Sequence, residues 1–336
     1  MTTAAARSTE PNETPSDLLS LFGYMRDFEV AYVMDEWSVL EPHFHEDAIH
    51  RIDGGALPLG VGGTGREAVI AGLRAGVNAV DRRFDARIPE IVDGPVTRDD
   101  GIWMRFELTL RRAGVPDLVV HGEHLARYRD GRIEALSEKV APGEAARVAA
   151  FLVEHDGALR PAGSAFAPPS TGDAALLEAA MGRSLVRCYG GAKSEQDAAA
   201  ALAVCDPGFS IETIAFGITS RDREDTHAQL EAFFAAFPDY RVTLEGFATG
   251  PGVVTCWGRA RMTFGGDFLG YRATGRSADA AIFCVFGLAG GTLASERFFF
   301  DLAAFCDQIG VPVAELSTSL GLLREADATR EATAAA

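Results

Sequence analysis

The sequence of 336 residues lacks several features that define large classes of protein. It has no run of about 18 uncharged apolar residues, which excludes a helix that spans a membrane. It has no C-x-x-C pair, and its five cysteines lie among apolar neighbours, which favours buried thiols over disulfides or a metal site. Its N-terminal segment has no apolar stretch typical of a secretory signal. These absences predict a cytoplasmic protein.

Positive charge is also scarce. Lys and Arg together number 31 against 48 Asp and Glu, which gives a formal net charge of -17. A surface of this sign repels phosphate backbones and anionic lipid, so we expect neither nucleic acid nor a membrane as a partner. Hydrophobic residues make up 47% of the chain, and the 21 Phe supply enough apolar volume for a core in each half.

The chain divides into two halves joined by a linker rich in Pro, Gly and Ala. We place the linker at residues 156–172, between one domain at 16–155 and another at 173–318. The flanking segments are polar or rich in Ala and have no apolar face, so residues 1–15 and 319–336 are predicted to be disordered.

The two halves repeat the same order of elements. Each begins with helical patterns, continues with a short strand and a further helix, and ends with several strand patterns and a last helix. The strands share a Trp-x-Arg motif, at Trp103 and Arg105 in one half and at Trp257 and Arg259 in the other. A repeat of this length indicates a duplicated domain. Helices followed by antiparallel strands predict the α+β class, with two domains in tandem.

Three segments of the second half resemble a known family. They are AFPDY at 236–240, GGDFLGYRATGR at 265–276 and FFFDLAAFCDQIG at 298–310. They resemble the SnoaL-like polyketide cyclases of the nuclear transport factor 2-like (NTF2-like) superfamily. The resemblance implies two cone-shaped domains, each a curved antiparallel sheet wrapped on helices around a largely apolar pocket.

The resemblance also implies how such a protein works and assembles. The expected ligand is a hydrophobic small molecule, and the expected chemistry needs no cofactor and no metal. Members of the superfamily commonly pair through their sheets, which implies a pseudo-dimer within this chain, with a homo-oligomer as a further option.

Two carboxylates are the candidate acid/base groups of the second half. By resemblance, Asp301 lies near the acid/base Asp of the cyclases, although an Asp before a helix is also a typical N-cap. Asp279 lies on an otherwise apolar strand, where a carboxylate needs a partner, a pocket or a solvent-facing edge position. Phe264 stands where cyclases usually carry a His, so this half lacks the usual proton-transfer partner.

The first half is richer in titratable side chains. Alternation along one strand places Arg105 and Glu107 on the same polar face, and Glu138 follows on a later strand. The three resemble the Arg-x-acid…acid arrangement of limonene-type epoxide hydrolases, with Glu in place of Asp. The alternative is a solvent-facing strand with weak surface ion pairs. His124 falls where ketosteroid isomerases hold a hydrogen-bonding Asp, a departure that argues against isomerase chemistry of that type. It is the candidate imidazole of the pocket.

The leading prediction is a cofactor-independent acid/base enzyme that acts on a hydrophobic small molecule, of SnoaL-like cyclase or isomerase type. The first alternative is epoxide hydrolysis in the first domain, and the second is a non-catalytic module for ligand binding or dimerisation. The enzymatic predictions require a carboxyl or imidazole group inside a dry pocket, where burial moves its pKa towards neutrality.

Overall fold

The computed structural model of the chain describes residues 15–53 and 62–321. The segments predicted to be disordered lie almost entirely outside these residues. Of the predicted C-terminal tail, residues 319–321 are described, and they belong to a helix whose described part is 313–321. Among the described residues, no helix is both long enough and apolar enough to cross a membrane.

The first domain begins with a capped helix. The Ser16 hydroxyl accepts a hydrogen bond from the backbone N–H of Leu19 at 3.2 Å, and Asp35 ends the helix in the left-handed conformation. The helices and strands of this domain are α1 (Asp17–Met34), β1 (Phe44–Asp53), β2 (Gly63–Thr64), α2 (Arg66–Ala79), β3 (Ala86–Arg98), β4 (Gly101–Arg111), β5 (Leu118–Arg129), β6 (Arg132–Val140) and α3 (Glu144–Glu154).

The strands of the first domain form one six-stranded sheet in the order β2-β1-β6-β5-β4-β3. The β1–β6 pair is parallel and the other pairs are antiparallel. Side chains alternate between the two faces of the sheet. Ile102 and Met104 of β4 are buried on the inner face with the apolar residues of α1 and α2, whereas Arg105 is exposed.

The second domain repeats this arrangement with its own sheet, in the order β8-β7-β12-β11-β10-β9. The predicted tandem of α+β domains is therefore confirmed. The helices and strands are α4 (Thr171–Ser194), α5 (Ala198–Ala203), β7 (Cys205–Thr213), β8 (Ile218–Thr219), α6 (Arg223–Ala236), β9 (Arg241–Gly250), β10 (Val253–Thr263), β11 (Ser277–Ala289), β12 (Thr292–Phe300) and α7 (Leu302–Ile309).

The long helix α4 joins the two domains because it packs both on its own sheet and on β3 of the first domain. The Arg183 guanidinium donates to the Glu90 carboxylate, with Nε and Oε1 2.7 Å apart. The Ser184 hydroxyl accepts from the backbone N–H of Ile91 at 2.9 Å. Buried apolar residues of both domains form one continuous cluster.

Candidate active site

The second domain encloses a cavity of about 280 Å³ between the inner face of its sheet and α6. Six Phe side chains line it, together with Ile, Leu, Met and Ala residues. Only four lining residues carry polar side-chain groups, and these are Lys193, Thr213, Gln229 and Tyr240. A mostly apolar cavity with few polar groups is typical of a site that binds a hydrophobic small molecule.

Lys193 belongs to a buried polar cluster beside this cavity. Its Nζ lies 3.5 Å from Oε2 of Glu296, and the two side chains are 9% and 1% exposed. The Tyr189 hydroxyl donates to the same Oε2 at 2.7 Å. Among the described residues, Glu296 is the one ion-pair partner of Lys193. Tyr189, Lys193 and Glu296 also line a smaller void of about 20 Å³.

Aromatic rings complete the surroundings of the ammonium group. Nζ of Lys193 lies 4.9 Å from the ring centre of Tyr189 and 5.3 Å from that of Phe298, distances at which a cation is attracted to a ring. Burial, and then the Glu296 carboxylate, raises the pKa of Tyr189 well above its ordinary value, so the phenol remains a hydrogen-bond donor.

Local structure explains how these three side chains meet. Tyr189 and Lys193 are four residues apart on α4 and therefore share one helix face. Glu296 faces inward from β12, where it pairs with Phe286 of β11 and Ile211 of β7. The cluster joins one helix and one strand across the closed interior of the domain.

A second buried cluster lies inside the first domain. Oε1 of Glu138 is 3.3 Å from Nε2 of His50 and 3.6 Å from Nε2 of His124. The three residues come from β6, β1 and β5, and His124 lies directly opposite Glu138 in the sheet. The side chain of His50 is 2% exposed, whereas those of His124 and Glu138 are each about one-fifth exposed.

The electrostatics of this cluster follow from burial and proximity. Burial lowers the pKa of His124 despite the attraction of Glu138, so the imidazole favours its neutral form. Burial alone would raise the pKa of Glu138, but His124 and His50 outweigh that effect and keep it below its ordinary value. The arrangement therefore favours an ionised carboxylate between two imidazoles.

The structure does not bring Arg105, Glu107 and Glu138 together, so the arrangement of an epoxide hydrolase is not formed. Arg105 lies on the outer face with Asp93, at 3.5 Å, and both side chains are about half exposed. Glu107 pairs with His121 at 3.1 Å on that same face. Strand alternation is the physical reason, because Glu138 shares the inner face with Met104 while Glu107 and Arg105 point away from it.

Asp301 and Asp279 both lie away from the cavity of the second domain. Asp301 is exposed, and its Oδ1 accepts from the backbone N–H of Ala304 at 3.0 Å, which makes it the N-cap of α7. Asp279 accepts from Arg259 at 2.6 Å and from Arg261 at 3.0 Å on the outer face of β11. The hydrogen bond from Arg259 is the main reason why the pKa of Asp279 is lowered. We keep neither as a candidate for proton transfer.

Sequence reasoning missed Lys193, Glu296 and Tyr189. One signal was present, since the chain contains two lysines and Lys193 continues the helical stripe formed by Val186, Tyr189 and Gly190. Glu296 could not be identified from the sequence. Three consecutive Phe follow at 298–300, and they leave no alternation to show which residues of β12 face inward. Within residues 15–53 and 62–321, no group of three or more His, Cys, Asp or Glu residues is arranged to hold a metal ion.

Comparison with known proteins relates the second domain to one family. The family model of SnoaL-like polyketide cyclases matches residues 183–309, from the middle of α4 to the end of α7. A search of curated proteins found no match.

Similar solved structures each match the length of about one domain. One is described as a SnoaL-like polyketide cyclase from Jannaschia sp. CCS1, with 22% identity over 39% of this chain and 93% of its own, and a TM-score of 0.37. TsrD from Streptomyces laurentii has 20% identity over 40% of this chain and 97% of its own, with a TM-score of 0.36. IdmH from Streptomyces antibioticus has 21% identity over 38% of this chain and 96% of its own, with a TM-score of 0.34.

The family match and the repeated sheet order lead to one assignment. Residues 183–309 of the second domain match the SnoaL-like family, and the first domain repeats the sheet order of the second, so the chain is a tandem of two α+β domains with the same sheet order.

Proposed function

We propose that the second domain binds a hydrophobic, enolisable small molecule of polyketide type and assists its ring closure or isomerisation by acid/base chemistry without a cofactor. The observation that carries this proposal is that Lys193 is the charged residue in the lining of a mostly apolar cavity. The family match to SnoaL-like polyketide cyclases supports the substrate class.

Lys193 is the residue that would contact the reacting oxygen. When solvent water takes a proton from the carbon beside a ketone, negative charge develops on the ketone oxygen, and an ammonium N–H donated to that oxygen stabilises the transition state. The low dielectric of the mostly apolar lining strengthens this interaction. Glu296 and Tyr189 act through Lys193 as positioning residues, since they hold the ammonium group and balance its charge.

The experiment uses 2-naphthol, whose ionised hydroxyl resembles an enolate. A hydrogen bond to a charged group contributes about 1.5–3 kcal/mol, so we expect the hydroxyl of the bound ligand to ionise about one to two pH units lower than in water. The measurement is an absorbance titration of the naphthol with the full chain.

The test variant is Lys193→Met/Glu296→Gln, which removes both charges together because an unpaired buried charge would destabilise the fold. We expect it to bind the naphthol but to lose the shift in ionisation. The matched control is Lys139→Met, which alters the other lysine of the chain, an exposed residue. A shift that survives in the double variant would refute the role of Lys193. Binding with no shift in the wild-type chain would favour the non-catalytic alternative.

A further inference from the structure

Lysine is rare in this chain, and one of its two lysines lies inside the second domain. Of the 31 Lys and Arg residues, only Lys139 and Lys193 are lysines. Lys139 is exposed, whereas the side chain of Lys193 is 9% exposed and lines the cavity of about 280 Å³. Arginine is the usual residue for a buried ion pair, because its planar group forms paired hydrogen bonds with a carboxylate. A lysine at this position is therefore best explained by chemistry that arginine cannot perform.

The amine of lysine differs from the guanidinium of arginine because it can lose its proton. Arginine stays protonated in proteins, whereas Nζ of a buried lysine can act as a nucleophile and form an imine with a carbonyl group. The reaction needs a nearby group that accepts the proton. Oε2 of Glu296 lies 3.5 Å from Nζ of Lys193 and meets this need. The Tyr189 hydroxyl holds the same oxygen in place by donating to it at 2.7 Å.

Aromatic rings restrict the space around Nζ of Lys193. The ring centres of Tyr189, Phe298 and Tyr240 lie 4.9, 5.3 and 6.0 Å from Nζ. A carbonyl carbon that bonds to Nζ has to fit between these rings. An aldehyde carbon carries a hydrogen atom where a ketone carries a second carbon substituent, so the surroundings favour an aldehyde. The ring faces also attract the positive charge of a protonated imine.

The rest of the cavity suits the apolar body of such a ligand. Its volume of about 280 Å³ lies just below the range of about 300–1,000 Å³ that is typical of sites for drug-sized molecules. Among the described residues that line it, Lys193 is the charged one, and six of the others are Phe. Aromatic side chains pack well on a flat ring system. The ligand that fits is a small aromatic aldehyde.

We infer that Lys193 forms an imine with a hydrophobic aromatic aldehyde, an inference that rests on the proposed function in so far as the cavity binds a hydrophobic small molecule. First, the Lys193 ammonium group transfers a proton to the Glu296 carboxylate. The lone pair of Nζ then forms a bond to the carbonyl carbon, the carbonyl π electrons move to the oxygen, and a proton moves from the nitrogen to that oxygen. Finally, the hydroxyl group takes the proton from Glu296 and leaves as water, while the nitrogen lone pair forms the C=N bond.

The reaction restores the charges with which it began. The protonated imine is positive and Glu296 is again a carboxylate, so one charge of each sign lies in the interior before and after the reaction. No buried charge is left unpaired, which would be strongly destabilising. Ketones, whose second substituent disfavours the covalent bond, still accept a hydrogen bond from the ammonium group as proposed above.

The experiment treats the full chain with 2-naphthaldehyde and sodium cyanoborohydride, which reduces an imine to a stable secondary amine. Mass spectrometry of the intact chain and of its peptides measures the gain of one naphthylmethyl group and locates it. We expect Lys193 to be labelled at least about tenfold faster than the exposed Lys139, because the cavity holds the aldehyde beside Nζ. In the chain unfolded by guanidinium chloride, the two lysines should be labelled at similar rates.

Lys193→Arg is the test variant, because it keeps the positive charge beside Glu296 but cannot form an imine. It should lose the fast labelling, whereas the matched control Lys139→Arg should be labelled at the wild-type rate. An excess of 2-methylnaphthalene, which has similar rings but no carbonyl group, should slow the labelling of the wild-type chain. Equal labelling of the two lysines in the folded wild-type chain, or labelling that 2-methylnaphthalene does not slow, would overturn the inference. These two measurements need no folded variant.

The labelling and the naphthol titration can fail independently. 2-Naphthol has no carbonyl group, so a shift in its ionisation without labelling by the aldehyde would support the proposed function and overturn the imine. Fast labelling of Lys193 without an ionisation shift would do the reverse. The absence of both would overturn both proposals.

Discussion

Lys193 lies where an unpaired charge would be strongly destabilising. Its side chain is 9% exposed, and the surroundings offer one carboxylate and the faces of aromatic rings. Breaking a buried ion pair by removal of one partner typically costs about 3–5 kcal/mol, whereas apolar replacement of both is often neutral. Retention of such a pair at the wall of a cavity is therefore better explained by chemistry than by stability.

Asp301 provides a residue-scale test between capping and catalysis. Asp301→Ala should lower the free energy of unfolding by about 0.5–2 kcal/mol, because the backbone N–H of Ala304 loses its acceptor. Asp301→Asn should restore most of this stability, since Asn is an equally good N-cap. Urea denaturation measures both variants. A loss of the naphthol ionisation shift in Asp301→Asn, with stability intact, would instead support an acid/base role.

His124 should make stability depend on pH in a defined direction. Burial lowers the pKa of His124 below the ordinary 6.5. At pH values between its folded and unfolded pKa, the unfolded chain therefore binds more protons than the folded chain. The contribution of His124 to the free energy of unfolding is therefore fully present above about pH 6.5. It is lost as the pH drops through that window. Urea midpoints from about pH 8 to pH 5 should show a shallower fall in His124→Gln. Identical slopes in the two proteins would contradict the lowered pKa.

At the scale of the elements, strand alternation predicted faces correctly but could not say which faces meet. It placed Arg105 and Glu107 together, and they do share the outer face. It could not relate them to Glu138, because the face of a later strand depends on register and on any bulge between the strands. The same limit hid Glu296, since β11 and β12 shift register between Gly287 and Leu288.

The contact of α4 with β3 predicts opposite outcomes for two adjacent glycines. A Cβ at Gly191 would lie 2.8 Å from the backbone oxygen of Pro95, so Gly191→Ala should push the helix from the strand and lower the melting temperature. A Cβ at Gly190 would meet Leu244 at an ordinary 3.8 Å. Gly190→Ala should then be neutral or stabilising, by up to about 1 kcal/mol from helix propensity. Equal melting temperatures would argue against close packing at Pro95.

At the scale of the whole molecule, the two domains have the same strand order but different buried polar groups. The sheet order is identical in the two domains, and both enclose a carboxylate within an apolar interior. The first pairs it with two imidazoles and the second with an ammonium group and a phenol. The helix α4 contributes both to the second interior and to the contact with the first domain. The domains are therefore packed against each other.

The duplication, the α+β class and the apolar character of both interiors could be predicted from the sequence alone, because periodicity, turn residues and composition act locally along the chain. It also identified Glu138 and His124 as candidates from their residue types and strand positions. Only the tertiary structure decided which polar side chains meet. His50, His124 and Glu138 lie on three different strands, and Lys193 lies on a helix about a hundred residues before Glu296. Their proximity therefore depends on strand register, bulges and helix packing, which a local sequence pattern does not show.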